Sequence, residues 1–358
     1  MSKPLPPFSC THSPNIPELL AQLNCTLAIS TYQAGKVILI SAKDNNNLIQ
    51  LPRNFQKPMG MALDGNKLAI ATKDEVVVLA NSPQMAPNYP KQPKTYDALF
   101  LPRATYYTGA IDIHDLEWVD GKLWAVNTLF SCIVTLDDNH SFRPVWKPGF
   151  VPNYTPADYC HLNGVAMEAG KPKYATALGQ TTKPEGWRET KGSGGILIDI
   201  TNDEIIARDL PMPHSPRIIN GKLYVLLSAT GELAQVDLQT GKYNVVKELN
   251  GFVRGMSIYQ DYIFIGLSKL RENTSAFRDL PIAKKSIFSG VAVLHEPTSS
   301  IVGYIKYENS VEEIYDVKVL PDMTRPGLLN HEKPDHKVAL VSPVGDFWAV
   351  EEKEQPHA

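Results

Sequence analysis

A tight turn that returns five times along the chain constrains its fold more than any other feature. The turns read Asp64-Gly65-Asn66-Lys67-Leu68, Asp120-Gly121-Lys122-Leu123, Ala169-Gly170-Lys171, Asn220-Gly221-Lys222-Leu223 and, more weakly, Gln260-Asp261-Tyr262. Asp-Gly or Asn-Gly between two apolar runs marks a hairpin, because a type I′ turn needs positive φ at both central residues. From Gly65 to Gly121 is 56 residues, to Gly170 another 49, to Gly221 another 51 and to Asp261 another 40. That period fits a four-stranded propeller blade with outer loops of variable length.

After each turn the pattern continues as a strand, a short connection and a third strand: 68–72 then 76–79, 123–127 then 133–136, 223–228 then 233–237. Segments 142–146, 204–209, 243–247 and 301–307 supply fourth strands. Segments 27–31 and 35–40 match the second and third strands of the unit, with no first strand ahead of them. Segment 311–319 reads as that missing strand, so the two ends of the chain would share one blade and leave no open edge. The expectation is all-β: a six-bladed β-propeller closed by N- and C-terminal strands over residues 27–350. A seventh blade is the alternative, since 337–341 and 347–350 are strand-like and unassigned. Residues 1–26 read as a tail with one short helix, capped by Asn15 with Pro17 in the first turn, and 351–358 as a C-terminal tail. Loops 80–96, 179–194 and 271–286 are long and polar, and are expected to cover one mouth of the ring.

Composition narrows the function classes. At 43% hydrophobic and 20% charged residues the chain can bury a large core. With 35 Lys+Arg against 38 Asp+Glu it has no electrostatic footprint for nucleic acid or an anionic membrane, so neither is expected as a partner and a small-molecule or peptide substrate is. The absence of an apolar leader and of any run of ~18 apolar residues predicts a cytoplasmic protein. Cys10, Cys25, Cys132 and Cys160 form no Cys-x-x-Cys pair and are expected to be reduced. A nucleophilic role for Cys160 is the weaker reading, a buried apolar filler the stronger. Gly192-Ser193-Gly194-Gly195 has no helix pattern after it and reads as a loop entering a strand rather than a phosphate cradle.

In a propeller the first strand of each blade lines the channel. Stepping back seven residues from each turn gives Pro58, His114, Asn163, His214 and Arg254, and a slip of two in the fourth blade exchanges Asn163 for His161. Three neutral imidazoles, His114, His161 and His214, converging from separate strands make a donor set for Zn²⁺ or a similar divalent ion with an open position. Glu313 or Asp112 would then act as acid or base, Arg217 and Arg254 would grip an anionic group, and Asn163 and Tyr315 add polar lining. The competing reading is a polar tunnel in which these histidines only meet carbonyls and water. Gly186-Trp187-Arg188-Glu189 either presents an aromatic and an arginine to a ligand or is an exposed tip.

Ser30-Thr31-Tyr32-Gln33-Ala34-Gly35-Lys36, Leu101-Pro102-Arg103, Asp112-Ile113-His114, Asn127-Thr128-Leu129-Phe130-Ser131-Cys132, Cys160-His161-Leu162-Asn163-Gly164 and Met212-Pro213-His214-Ser215-Pro216-Arg217 resemble the motifs of a bacterial family of uncharacterised, propeller-like proteins. The resemblance spans about residues 27–320 and implies one shared pocket without naming a substrate. Leu129 departs from the basic residue of that family's pattern. A separate likeness of constellation is to six-bladed propeller lyases, such as the lyase half of peptidylglycine amidating enzymes, which hold a metal on three histidines. Two functions follow as expectations. One is a metal-dependent lyase, hydrolase or isomerase acting on a small polar or peptide-like substrate; the other is a non-catalytic propeller that binds a peptide or partner protein through Arg103, Trp187 and Arg188.

Overall fold

The structure, a computed structural model, describes residues 4–270, 277 and 279–349. Six sheets of four or five strands stand around a central channel. Blade I joins the inner strand Asp316–Pro321 to Cys25–Thr31, Lys36–Asp44 and Asn47–Asn54. Blades II to VI follow in chain order, with inner strands Met61–Asp64, Ile113–Val119, Leu162–Glu168, Pro213–Ile219 and Phe252–Tyr259. The ring therefore closes as the sequence predicts, with one blade built from both ends of the chain. Its inner strand starts later than the apolar pattern suggests, because 311–315 runs extended toward the mouth with only isolated bonds such as Tyr315 N–H to the Ser30 carbonyl.

Turn chemistry sets the inner hairpins. Asp120 and Gly121, Ala169 and Gly170, and Asn220 and Gly221 all have positive φ, from 48° to 75°, as two-residue type I′ turns require. Between the blades lie six apolar clusters, one at each blade junction, where the alternating buried residues of adjacent sheets meet. Helix Ile16–Gln22 covers the junction of blades VI and I with Ile16, Leu19 and Leu20. Asn15 stands at its N-cap position without a side-chain cap; its amide instead donates to the Val302 carbonyl.

The strand-like C-terminal segments form a hairpin, Ala339–Ser342 with Gly345–Trp348, outside the ring, so there is no seventh blade among the described residues. Two short strands missed by the sequence reading, Cys10–His12 and Pro326–Leu328, widen blades VI and II at their outer edges. The three long loops part company for a topological reason. Loop 178–194 and the described residues between strands Tyr262–Ser268 and Ser289–His295 link second to third strands, on the face where the inner strands begin. Loop 82–97 links a third to a fourth strand and lies on the other face. The cysteines in the described residues are free thiols, and no described helix is long and apolar enough to cross a membrane. The predicted tail 351–358, residues 1–3 and part of loop 271–286 lie outside the described residues.

Candidate active site

Two rows of side chains line the start of the channel. Thr128, Ser228 and Ser268, which follow or end the second strands of blades III, V and VI, donate their hydroxyls to the Leu162, Val253 and Ile314 carbonyls of the next blade, at 2.6, 2.6 and 3.1 Å. These clamps index the residues that come next, Asn163, Arg254 and Tyr315, as equivalents of His114 and His214. In blade II the place belongs to Met59 rather than Pro58. Gly60 lies in the row below, where an added Cβ would meet the His114 carbonyl at 2.8 Å and Asp115 Cα at 2.9 Å. The shift arises because glycine is the first residue of that turn, Gly65-Asn66, and the second in the Gly121, Gly170 and Gly221 turns.

Two residues earlier in each blade comes the rim: Glu313, Lys57, Asp112, His161, Met212 and Phe252. Lys57, Asp112, His161 and Met212 all take positive φ, between 47° and 57°, which costs a non-glycine residue about 1–2 kcal/mol. His161 thus belongs to the rim, and Asn163 keeps the row below; the fourth blade has the ordinary two-residue turn and no slip.

One cavity of ≈ 110 Å³ opens at this mouth, and His114, His161, His214, Arg254, Glu313 and Trp187 are among its walls. The hydrogen bonds assign the imidazole tautomers. His114 Nδ1 faces the Asp112 carbonyl at 3.1 Å and Thr128 Oγ1 at 2.8 Å, and that hydroxyl has already given its proton to Leu162. Nδ1 must be the donor, which leaves Nε2 as the unprotonated nitrogen of the neutral ring. His214 repeats the arrangement with the Met212 carbonyl at 3.1 Å and Ser228 Oγ at 2.8 Å, itself donated to Val253. Burial first, and then the Arg254 charge, hold both imidazoles well below the ordinary histidine range, so they are neutral at pH 7.

His161 is held differently. Its Nδ1 lies 2.9 Å from Asp158 Oδ2, which also accepts the Trp187 indole N–H at 2.9 Å, and its ring stacks on Trp187 at 4.2 Å and stands edge-on to His114 at 4.8 Å. Arg254 lies flat on Tyr315, 3.4 Å from the ring centroid, and 3.8 Å from Glu313. Burial raises the Glu313 carboxyl above the ordinary range, against the pull of Arg254 and the Gln33 amide. Glu313 Oε2, Tyr315 OH and Asn163 Nδ2 are buried without a partner among the described residues.

The other predicted site residues are placed elsewhere or differently. Asp112 sits half-exposed on the rim, its carboxylate 3.7 Å from His114 Nδ1. Arg217 does not line the cavity: it lies further down the channel, paired with Asp115. Arg103 is on the fourth strand of blade II, Ala98–Tyr107, donating to its neighbour's carbonyl, so it does not join Trp187 and Arg188 in one patch. Trp187 is buried in a short 3₁₀ turn rather than an exposed tip, with Arg188 over its outer face. Cys160 is buried with its thiol pushed up to about 12, which removes it as a thiolate nucleophile. Met212, Phe252 and Gln33 were missed, although stepping back nine residues from the second turn residue would have found the first two.

A family model described as a domain of unknown function (DUF4915) matches residues 14–329. No protein of curated function matches the sequence. Among solved structures, a chain of a nidogen/laminin complex is similar at 11% identity and a TM-score of 0.50, over 83% of this chain and 99% of that one. A protein of unknown function from Bacteroides caccae is similar at 10% identity and a TM-score of 0.51, over 83% and 98%. Likeness at that identity speaks for the propeller fold alone.

Proposed function

The chain belongs to the family of the domain of unknown function DUF4915, and for the axial mouth of its propeller we propose an enzymatic role: acid–base chemistry on a small anionic substrate, of the lyase or isomerase type. The observation that carries this reading is that the mouth leaves its reactive atoms unspent. Two locked Nε2 lone pairs and a carboxyl oxygen without a partner among the described residues face one cavity from blades III, V and I. His161, oriented by Asp158, is the group able to take a proton, since the carboxylate stabilises the imidazolium that forms. Glu313, whose raised range keeps it protonated further toward neutrality, is the acid. Arg254 meets the anionic group, and His114 and His214 accept hydrogen bonds from the substrate without changing charge.

The test is incubation of soluble metabolite extract in D₂O with the full chain and with His161→Asn, followed by mass spectrometry. A metabolite consumed or deuterated by the wild type alone supports the reading. No difference between wild type, variant and buffer overturns it in favour of a binding propeller.

A divalent ion on His114, His161 and His214 is the second reading, favoured by the 4.8 Å approach of the first two rings and by the free Nε2 atoms. It requires His214 to draw closer, because among the described residues no three His, Cys, Asp or Glu groups are arranged to hold one ion. Elemental analysis of the purified chain and of His214→Ala decides it: a stoichiometric metal lost in the variant supports the ion, and its absence from both removes it.

A further inference from the structure

The mouth cavity has two unlike walls, and from them we infer the class of molecule it takes: a small carboxylate with a short apolar arm. The inference rests on the mouth being a substrate site and goes on to name both ends of the substrate.

The polar wall is built around a guanidinium that hydrogen-bonds no described residue. Arg254 is fixed by its face on Tyr315, and its N–H groups make no hydrogen bond within 3.5 Å to any described residue; its nearest carboxylate, Glu313, is 3.8 Å away. Five donors in a planar fork match the two oxygens of a carboxylate bidentately, and stacking leaves the edge of the fork open. Tyr315 beneath it and Asn163 in the same row keep a hydroxyl and an amide N–H buried without a partner among the described residues, and Thr176 fixes the Asn163 amide by donating to its Oδ1 at 2.8 Å. A structural arginine looks different in this same protein: Arg217 spends its nitrogens on Asp115 and on two carbonyls.

The opposite wall is apolar: Leu178, Met212, Phe252, Leu270 and Phe277 line the cavity and continue into a buried cluster. The Phe252 and Phe277 rings lie 5.7 Å apart. A surface without hydrogen-bonding atoms rewards only what prefers to leave water, at roughly 25 cal/mol per Å². The enclosed ≈ 110 Å³ sets the size. A cavity of about 150 Å³ holds the six carbons of benzene, so this one encloses on the order of four or five non-hydrogen atoms, and a carboxylate with a branched arm of three or four carbons would fill it and reach into its open mouth.

The experiment is isothermal titration of the full chain with 3-methylbutanoate, 3-methylbutanamide and acetate, repeated with Arg254→Gln and Phe252→Ala, or Phe277→Ala should Phe252→Ala fail to fold by circular dichroism. The wild type is expected to bind 3-methylbutanoate at least tenfold more tightly than either the amide or acetate. Arg254→Gln should bring acid and amide within twofold, and the phenylalanine variant should weaken 3-methylbutanoate at least fivefold while leaving acetate within twofold. Equal binding of acid and amide by the wild type overturns the carboxylate, and equal binding of 3-methylbutanoate and acetate overturns the apolar arm. Binding of none of the three by the folded chain overturns the inference as a whole. The substrate-site reading itself falls only if the D₂O extract experiment also shows no turnover.

Discussion

Arg217 and Arg254 stand on the inner strands of neighbouring blades, and their side chains are nearly equally hidden, at 12% and 15% exposure. Their surroundings differ in one respect. Arg217 meets Asp115 through both terminal nitrogens, at 2.9 and 3.1 Å, and reaches the Val165 and Pro216 carbonyls. Glu117, Lys318 and Asp316 extend this into a network across blades I, III and V. Asp115 and Asp316 in turn accept the Val165 and Met61 amides of the next blades, at 3.2 and 2.9 Å. Every charge there is answered, and the answers cross from blade to blade, so the lower channel ties the ring together. The mouth has the same backbone and the same approach to the axis, yet it leaves donors and acceptors without partners. Protein interiors rarely tolerate that unless another molecule supplies the bonds.

The largest expected difference tests this division directly. Arg217→Met leaves Asp115 buried and uncompensated and should lower stability by about 3–5 kcal/mol, read from urea midpoints. Arg254→Met removes no hydrogen bond and should stay within about 1 kcal/mol of the wild type. Equal losses would erase the distinction between the two layers.

The lower channel also has a pH signature. Burial, with Asp115 adding to it, raises the Asp316 carboxyl to about 6 against the pull of Lys318. Its unfolded value is the ordinary ~3.9, so between the two the folded state binds more protons and stability contributed by this group rises as pH falls. From pH 7 to pH 4 the wild type should gain on Asp316→Asn by about 2 kcal/mol, most of the shift at 1.36 kcal/mol per unit. Comparing the two at each pH cancels His114 and His214, which titrate in the opposite sense. A constant difference would mean that Asp316 is ionised throughout.

At Gly60, blade II comes up against the backbone of blade III beneath the mouth. An added Cβ would press on backbone atoms of His114 and Asp115 at 2.8 and 2.9 Å, so Gly60→Ala should cost about 1–3 kcal/mol and disturb the His114 row as well. Gly109→Ala, where nothing lies within 4 Å but φ is +71°, supplies the strain-only reference.

Much of this was written in the turns. The Gly121, Gly170 and Gly221 turns share one geometry, so a fixed step back along each inner strand reached His114, Asn163 and His214 correctly. The same step failed at Pro58 because Gly65 occupies the other place in its turn, which no local pattern announces. Arg217 was misassigned for a different reason. Its partner Asp115 is 102 positions away, and sequence cannot tell an arginine that faces a ligand from one already answered by a distant carboxylate. Glu313, Asp112 and His161 were named as site residues, but that they share one rim row with Lys57, Met212 and Phe252 was concealed, since lysine, aspartate, histidine and methionine with positive φ follow no turn rule. Loop 82–97 was assigned to the mouth because its length, not its place between third and fourth strands, guided the reading.

The smallest effect reaches deepest into the chemistry. Ser228→Ala removes the hydroxyl that accepts the His214 Nδ1 proton and donates to Val253. The stability loss should be about 1 kcal/mol, since one buried carbonyl loses its donor while Nδ1–H keeps the Met212 carbonyl at 3.1 Å. The tautomer is the sharper readout. In the wild type, ¹⁵N shifts of His114 and His214 should both report a protonated Nδ1 and a bare Nε2; in Ser228→Ala the preference should weaken at His214 and persist at His114, which Thr128 still holds. A protonated Nε2 at either ring in the wild type would turn that nitrogen from acceptor into donor. The mouth would then present a ring of donors to its ligand, and the roles of base and acceptor assigned around the cavity would have to be exchanged.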